Sequence, residues 1–181
     1  MRITSGEYKG RTIKAPSHIR PTKDMVRKAL FDILGDIGGL SFLDLFAGSG
    51  AVGLEAASRG AGSVALVERD SACLKAIEEN IRIFKCDNCQ VIAKGAAEAV
   101  RQLESRKSSF DVIFLDPPYA EGLSKNILQI LDACDILARN GFVIAEHFGS
   151  EKLPEALDNL SLIKQRSYGK TLLSFYSKDR G

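Results

Sequence analysis

Hydrophobic residues recur along the chain in two alternating patterns, short apolar runs and longer segments with one apolar helical face. The apolar runs predict strands over Ser41–Leu45, Ser63–Val67, Gln90–Ala93, Asp111–Leu115 and Gly141–Glu146. The segments with helical spacing predict helices over Ala51–Arg59, Ser71–Phe84, Ala97–Glu104 and Ser124–Leu137. This alternation predicts a parallel sheet that is covered by helices on both faces.

The two ends of the chain depart from this alternation. Residues 2–14 predict a short β-hairpin, and Asp24 is a candidate N-cap for a helix. The apolar face of this helix is expected to hold Met25, Val26, Ala29, Leu30, Ile33 and Leu34. At the other end, residues 160–166 and 171–177 predict two antiparallel strands joined by a short turn. The expected fold class is therefore α/β: a doubly wound, Rossmann-like sheet, mostly parallel, with a C-terminal antiparallel hairpin and a short N-terminal β-hairpin.

Charge is distributed unevenly along the 181 residues, whose formal net charge is +2. Residues 1–28 hold eight Lys and Arg against two acidic residues, a net charge of +6, and the rest of the chain carries −4. A basic arm on a mildly acidic body predicts contact with a polyanion, or else a solvated arm without a partner. We expect residues 1–23 to form this arm and its linker, followed by one domain over residues 24–181.

Composition excludes several classes of protein. Hydrophobic residues make up 45% and charged residues 27%, which disfavours disorder. No apolar run approaches the roughly 20 residues of a membrane helix, and the N-terminus lacks the apolar core of a secretory signal. The four cysteines are too few and too scattered for a disulfide framework. We expect a cytoplasmic protein with no membrane association.

A glycine-rich segment follows the first predicted strand. Gly48, Gly50 and Gly53 form a G-x-G-x-x-G pattern between a strand and a helix, and Glu68 ends the next strand. Both features are typical of a Rossmann nucleotide site, in which the acid binds ribose hydroxyls. The alternative is a tight turn with no ligand.

Asp44, beside these glycines, distinguishes between two ligands. A pyrophosphate here would bring a second anion close to the Asp44 carboxylate, which costs energy. S-adenosylmethionine carries an ammonium and a sulfonium but no phosphate, so the same carboxylate attracts it. Neighbours in the same two loops complete the candidate donor site: Phe46, Ser49, Gly50 and Arg69.

The fourth predicted strand runs directly into Asp116-Pro117-Pro118-Tyr119. Ligands of doubly wound sheets bind at the carboxyl ends of the strands, so we expect Asp116 to face the same crevice as Asp44 and Glu68. An ionised Asp116 accepts hydrogen bonds, and prolines offer carbonyls but no N–H. Such a loop suits a planar exocyclic amine on a base, with Tyr119 as the stacking surface.

This acceptor-rich loop also predicts a reaction. Two acceptors that bind the hydrogens of an aryl amine return electron density to its nitrogen. The nitrogen can then attack the methyl carbon of the sulfonium in line and displace the thioether. Asp116 or water takes the proton that is released. The alternative is a proline-rich turn whose aspartate caps a helix. The catalytic candidates are Asp116, Pro117, Pro118 and Tyr119.

Residues 42–50 and 116–119 together resemble the class I, amino-directed methyltransferases. The segments 6–11, 20–22 and 26–31 narrow the resemblance to the RsmD family of bacterial 16S ribosomal RNA guanine-N2 methyltransferases. The resemblance covers nearly the whole chain. It implies an S-adenosylmethionine-dependent enzyme that modifies one guanine of 16S rRNA in the small ribosomal subunit or its assembly intermediate.

The resemblance also implies roles for individual residues. Asp44, Gly48 and Glu68 would bind the donor. The residues that would contact RNA or border the active site are Lys9, Arg11, Arg20, Thr22 and Arg27. Many relatives of this fold hold the adenine amine with an acid or amide after the third strand, which is absent here, so we assign this contact to the Ala96 backbone N–H.

Other functions fit parts of this pattern. A DNA adenine-N6 or cytosine-N4 methyltransferase shares the acceptor loop, but 181 residues leave little room for a sequence-reading domain. A non-catalytic RNA-binding module leaves Asp116 unexplained, and Asp44 argues against a Rossmann dehydrogenase. Cys86 and Cys89 lack further ligands for zinc, so no metal is expected, and His147 is interpreted as structural rather than as a general base.

Overall fold

The computed structural model describes residues 1–16, 24–118 and 122–178. Its helices are α1 (Asp24–Leu34), α2 (Ala51–Ser58), α3 (Ser71–Phe84), α4 (Ala96–Ser105) and α5 (Leu123–Ala133). Its strands are β1 (Ser41–Asp44), β2 (Ser63–Glu68), β3 (Cys89–Ala93), β4 (Phe110–Leu115), β5 (Leu137–Phe148), β6 (Leu160–Tyr168) and β7 (Thr171–Lys178). They form a seven-stranded sheet in the order β3-β2-β1-β4-β5-β7-β6, which confirms the predicted fold class.

The chain divides into two compact units, Met1–Gly95 and Ala96–Gly181. In the first unit, β1, β2 and β3 pair in parallel, because the helices that connect them return the chain to the same edge. In the second unit, β4 and β5 are parallel, whereas β7 runs antiparallel to both β5 and β6. The predicted hairpin at the C-terminal end is thus confirmed.

Helix α2 forms the centre of the first unit, and all eight of its residues are buried. Its close approach to β2 requires Gly53, where an added Cβ would lie 2.3 Å from Cδ2 of Leu66. This is the packing role that the third glycine has in nucleotide-binding loops.

The predicted N-terminal hairpin is present with a single antiparallel bridge, between Arg2 and Thr12. It lies on α2, and the contact is so close that a Cβ at Gly6 would lie 1.7 Å from the carbonyl oxygen of Ser58. The Gly6 φ of +80° also favours glycine. The apolar side chains that anchor the hairpin are buried: Ile3, Tyr8 and Ile13.

Two sequence predictions were wrong in detail. The helix predicted to reach Leu137 ends at Ala133, because Leu137 instead pairs with Phe110 as the start of β5. Met25, expected on the apolar face of α1, has 60% of its surface exposed. Among the described residues, no helix has the length and apolarity needed to cross a bilayer.

Candidate functional site

The glycine loop joins β1 to α2, and two of its residues have a left-handed backbone. Gly48 has a φ of +55° and Gly50 a φ of +81°. Gly50 is the N-cap of α2, and its N–H donates to Ala47 O at 2.6 Å. A side chain at Gly50 would approach Ile77 of α3 to 3.3 Å. The loop is therefore folded tightly against α3.

Glu68, at the end of β2, binds this loop through its carboxylate. Oε2 accepts a hydrogen bond from the Gly48 N–H at 2.8 Å. Oε1 accepts from the N–H groups of Arg69 and Asp70, at 2.7 and 2.9 Å. Oε1 thus already accepts two hydrogen bonds, whereas Oε2 accepts one and retains a lone pair for a ribose hydroxyl.

Asp44, at the end of β1, is buried and also accepts from the loop backbone. Oδ2 accepts from the Gly53 N–H at 3.2 Å, and Oδ1 from the Phe46 N–H at 3.4 Å. These amides in the loop and first turn of α2 therefore donate to carboxylates. In a pyrophosphate site such amides would donate to the phosphate, so this arrangement disfavours a phosphate ligand and suits a cationic one.

The remaining donor-site candidates lie in different surroundings. Phe46 is half-buried, Ser49 is buried and Arg69 is exposed. Ala96 is a buried residue at the start of α4, in the second unit. The adenine contact assigned to its N–H stays a prediction.

Sequence reasoning missed Asn80 of α3. This side chain is fully buried, and it donates to Ser49 O at 3.2 Å and to Lys14 O at 2.9 Å. Its position could have been noticed, because it shares the buried face of α3 with Cys73, Ile77 and Phe84 and is the only amide there. A polar residue on an apolar helix face needs partners.

The acceptor loop follows β4 in the second unit. Asp116 is half-buried, Pro117 is buried and Pro118 is exposed, whereas Tyr119 lies outside the described residues. Leu115 pairs with Ala145 of β5, so Asp116 directly follows the last ladder position of β4. The side chain is thus attached to a rigid strand end.

His147 of β5 is buried and bonded on both ring nitrogens. Nδ1 lies 2.9 Å from Phe148 O, and Nε2 lies 2.8 Å from the Ser174 hydroxyl. Burial lowers the pKa of this imidazole below its ordinary value, although the Phe148 carbonyl and Glu151 oppose the shift. A carbonyl only accepts, so Nδ1 carries the proton and Nε2 accepts. This arrangement supports the structural interpretation of His147.

Two of the predicted RNA-contacting residues of the arm, Lys9 and Arg11, are exposed. Lys9 faces solvent, and the Arg11 guanidinium lies over the rings of Tyr8 (5.3 Å) and Phe84 (5.8 Å). Arg20 and Thr22 lie outside the described residues.

Arg27 differs from the other candidates because its side chain is fully buried. Its Nη2 donates to Arg2 O at 2.6 Å and to Asp24 Oδ1 at 2.9 Å, and its Nε lies 3.4 Å from Oε2 of buried Glu55. Glu55 also accepts from the Thr4 N–H. The guanidinium of Arg27 is thus paired inside the protein, which argues against the predicted RNA contact.

Cys86 and Cys89 are free thiols in a turn closed by the Cys89 N–H and Cys86 O. Hydrogen bonding from Cys89 lowers the pKa of Cys86, and the same contact raises that of Cys89. Burial raises the pKa of the adjacent Tyr8 to about 12. In the part of the chain that the structure describes, no cluster of three or more acidic, His or Cys side chains could hold a metal.

Comparisons with known proteins find similarity over almost the whole chain. The family model described as "Conserved hypothetical protein 95" matches residues 1–177. YlbH of Bacillus subtilis, provisionally named an rRNA methyltransferase, is 37% identical over 98% of this chain and 99% of its own. Ribosomal RNA small subunit methyltransferase D of Escherichia coli is 32% identical over 99% of this chain and 90% of its own.

Solved structures are also similar to this chain over nearly its whole length. The yhhF protein of Escherichia coli, provisionally named a methyltransferase, has a TM-score of 0.87 at 32% identity, over 99% of this chain and 98% of that one. A hypothetical protein of Thermus thermophilus has a TM-score of 0.86 at 33% identity, over 97% and 98% of the two chains.

Fold and comparisons together define the class as Rossmann-like class I methyltransferases. Within that class, the chain belongs to the RsmD family of ribosomal RNA methyltransferases.

Proposed function

We propose that this protein transfers a methyl group from S-adenosylmethionine to the exocyclic N2 amine of one guanine in 16S rRNA, within the small subunit or its assembly intermediate. Relatives that match nearly the whole chain are named for methylation of small-subunit ribosomal RNA. A substrate of this kind implies a location in the bacterial cytoplasm.

The observation that carries the choice of donor is the bonding of the glycine loop. The Gly48 and Gly53 N–H groups donate to the carboxylates of Glu68 and Asp44, so these amides are engaged and do not point to a pyrophosphate. The two carboxylates suit S-adenosylmethionine, because its sulfonium and ammonium are cationic and its ribose can donate a hydroxyl to Glu68. When bound, it supplies an electrophilic methyl group.

In this proposal, hydrogen-bond acceptors at the end of β4 bind the target guanine. Asp116 and the Pro117 carbonyl accept the two hydrogens of the guanine N2 amine, and Tyr119 stacks on the ring. These contacts orient the amine and raise its electron density. The methylated amine is strongly acidic, so Asp116 or water can accept its proton and no strong base is needed. The proposal requires this amine to face the donor methyl.

RNA contact is assigned to the arm. Lys9 and Arg11 present exposed cations there. Arg20 and Thr22 follow in the sequence and complete the proposed surface. Basic side chains that contact the phosphates of the RNA backbone orient the substrate but do not recognise its sequence.

The test is methyl transfer to small subunits from cells that lack this gene. Incubation with labelled S-adenosylmethionine should place label in 16S rRNA, and nucleoside digestion should release it as N2-methylguanosine. DNA of matched length should receive none. Label in adenosine, in cytidine or in DNA would contradict the proposal.

A further inference from the structure

Asn80 is a fully buried amide on the apolar face of α3. A buried amide costs free energy unless its polar atoms are hydrogen-bonded. Its three hydrogen bonds connect two segments that are distant in sequence, the arm at Lys14 and the glycine loop at Ser49.

The arm fixes the orientation of this amide. The Lys14 N–H donates to Asn80 Oδ1 and Lys14 O accepts from Nδ2, both at 2.9 Å. A backbone N–H can only donate and a carbonyl can only accept, so these two bonds determine which end of the amide is oxygen. The second hydrogen of Nδ2 is then available to Ser49 O, at 3.2 Å.

Ser49 lies between the two loop glycines with positive φ, Gly48 and Gly50. Glycine has a wide conformational freedom, so this loop needs restraint from outside to keep one shape. We propose that Asn80 is a positioning residue for methyl-donor binding. Its side chain holds the Ser49 carbonyl and thereby keeps the glycine loop in its donor-binding shape. This inference rests on the proposed function, because it takes the loop as the donor site.

The chemistry of the site explains why an asparagine is needed. Aspartate has the same size and can accept from the Lys14 N–H, but its ionised second oxygen would face two carbonyls that need donors. Alanine removes all three bonds. Asn80→Asp therefore separates the loss of hydrogen-bond donation from the loss of volume.

The experiment compares Asn80→Ala, Asn80→Asp and a control, Asn88→Ala. The Asn88 side chain donates instead to Ala61 O, at 2.7 Å, which belongs to neither the arm nor the glycine loop. Calorimetry with S-adenosylmethionine gives the donor Kd, steady-state kinetics give kcat and the donor KM, and thermal unfolding gives the Tm. Both Asn80 variants should bind the donor about tenfold more weakly, with a matching rise in KM and a kcat close to wild type at saturating donor.

A purely structural role predicts a different pattern. If both folded Asn80 variants lowered the Tm but kept the wild-type donor Kd, the inference would be wrong. Wild-type affinity in Asn80→Asp alone would also contradict it, as would weaker binding in Asn88→Ala equal to that of the Asn80 variants. Failure of the wild-type protein to bind the donor would instead overturn the proposed function, and this inference with it.

Discussion

The Gly48 N–H donates a 2.8 Å hydrogen bond to Oε2 of Glu68, which joins the first loop glycine to the acid at the end of β2, 20 positions away. The other oxygen of Glu68 accepts from the two residues that precede α3. One carboxylate thus fixes the turns after both β1 and β2. The ribose-binding role proposed for Glu68 is therefore combined with a role in shaping the loop.

Substitution of Glu68 by Gln should weaken donor binding by roughly 10- to 100-fold, the range for hydrogen bonds to a charged group. The Gln amide end would face backbone N–H groups that need an acceptor. Isothermal calorimetry with S-adenosylmethionine measures the change, and Glu78→Gln, at an exposed position of α3, is the matched control. Equal affinities in the two variants would remove Glu68 from the donor site.

Substitution of Asp116 by Ala should lower kcat by at least about 100-fold, because the amine loses the acceptor that raises its electron density. Donor affinity should stay close to wild type. Transfer of label from S-adenosylmethionine to small subunits measures the rate, with exposed Asp158→Ala as the control. Near-normal turnover in Asp116→Ala would show that the amine is held elsewhere.

Reversal of charge at Lys9 should weaken RNA binding and make the negative slope of log K against log salt less steep, by about one. Lys9 is exposed on the arm, whereas exposed Lys75 of α3 serves as the control. Titration of a 16S rRNA fragment at several salt concentrations gives both slopes. A change that is the same for Lys9→Glu and Lys75→Glu would place the RNA surface outside the arm.

Substitution of Gly53 by Ala should destabilise the protein by about 1–3 kcal/mol, the usual cost of overpacking a core. The new Cβ would lie 2.3 Å from Cδ2 of Leu66. Gly95→Ala is the control, since no described atom lies within 4 Å of a Cβ there. Urea denaturation of both variants gives the free energies of unfolding, and equal values would mean that α2 can shift without cost.

Stability should fall as the pH drops below about 6.5, in part because of His147. Burial holds its pKa in the folded state below the ordinary 6.5, so the unfolded chain binds more protons between these two values. The stabilisation is complete above pH 6.5 and is lost toward the folded-state pKa. Urea denaturation at several pH values should show a smaller pH dependence in His147→Gln than in wild type. An unchanged dependence would assign the titration to other groups.

Local patterns in the sequence predicted the elements that carry the proposed site. The spacing of apolar residues predicted α3 as Ser71–Phe84, and the structure has the same bounds. The glycine pattern predicted the turn before α2 because only particular backbone angles permit it. Such features depend on neighbours within a few positions, which a sequence displays directly.

Contacts between distant segments could not be predicted in this way. The family resemblance implies a role for Arg27 in RNA contact or at the border of the active site, but its buried Nε lies 3.4 Å from Oε2 of Glu55, 28 positions further on. The end of α5 was placed too late because the pairing of Leu137 with Phe110 overrides helical spacing. Hydrophobic periodicity identifies a buried face but not the partner on it.

The docking of the arm on α2 has a consequence for biosynthesis. The Tyr8 N–H donates to the hydroxyl of Ser58, which lies 50 positions later in the chain. The hairpin therefore leaves the ribosome before the α2 surface that orders it has been synthesised. Its docked orientation is reached only once α2 has formed.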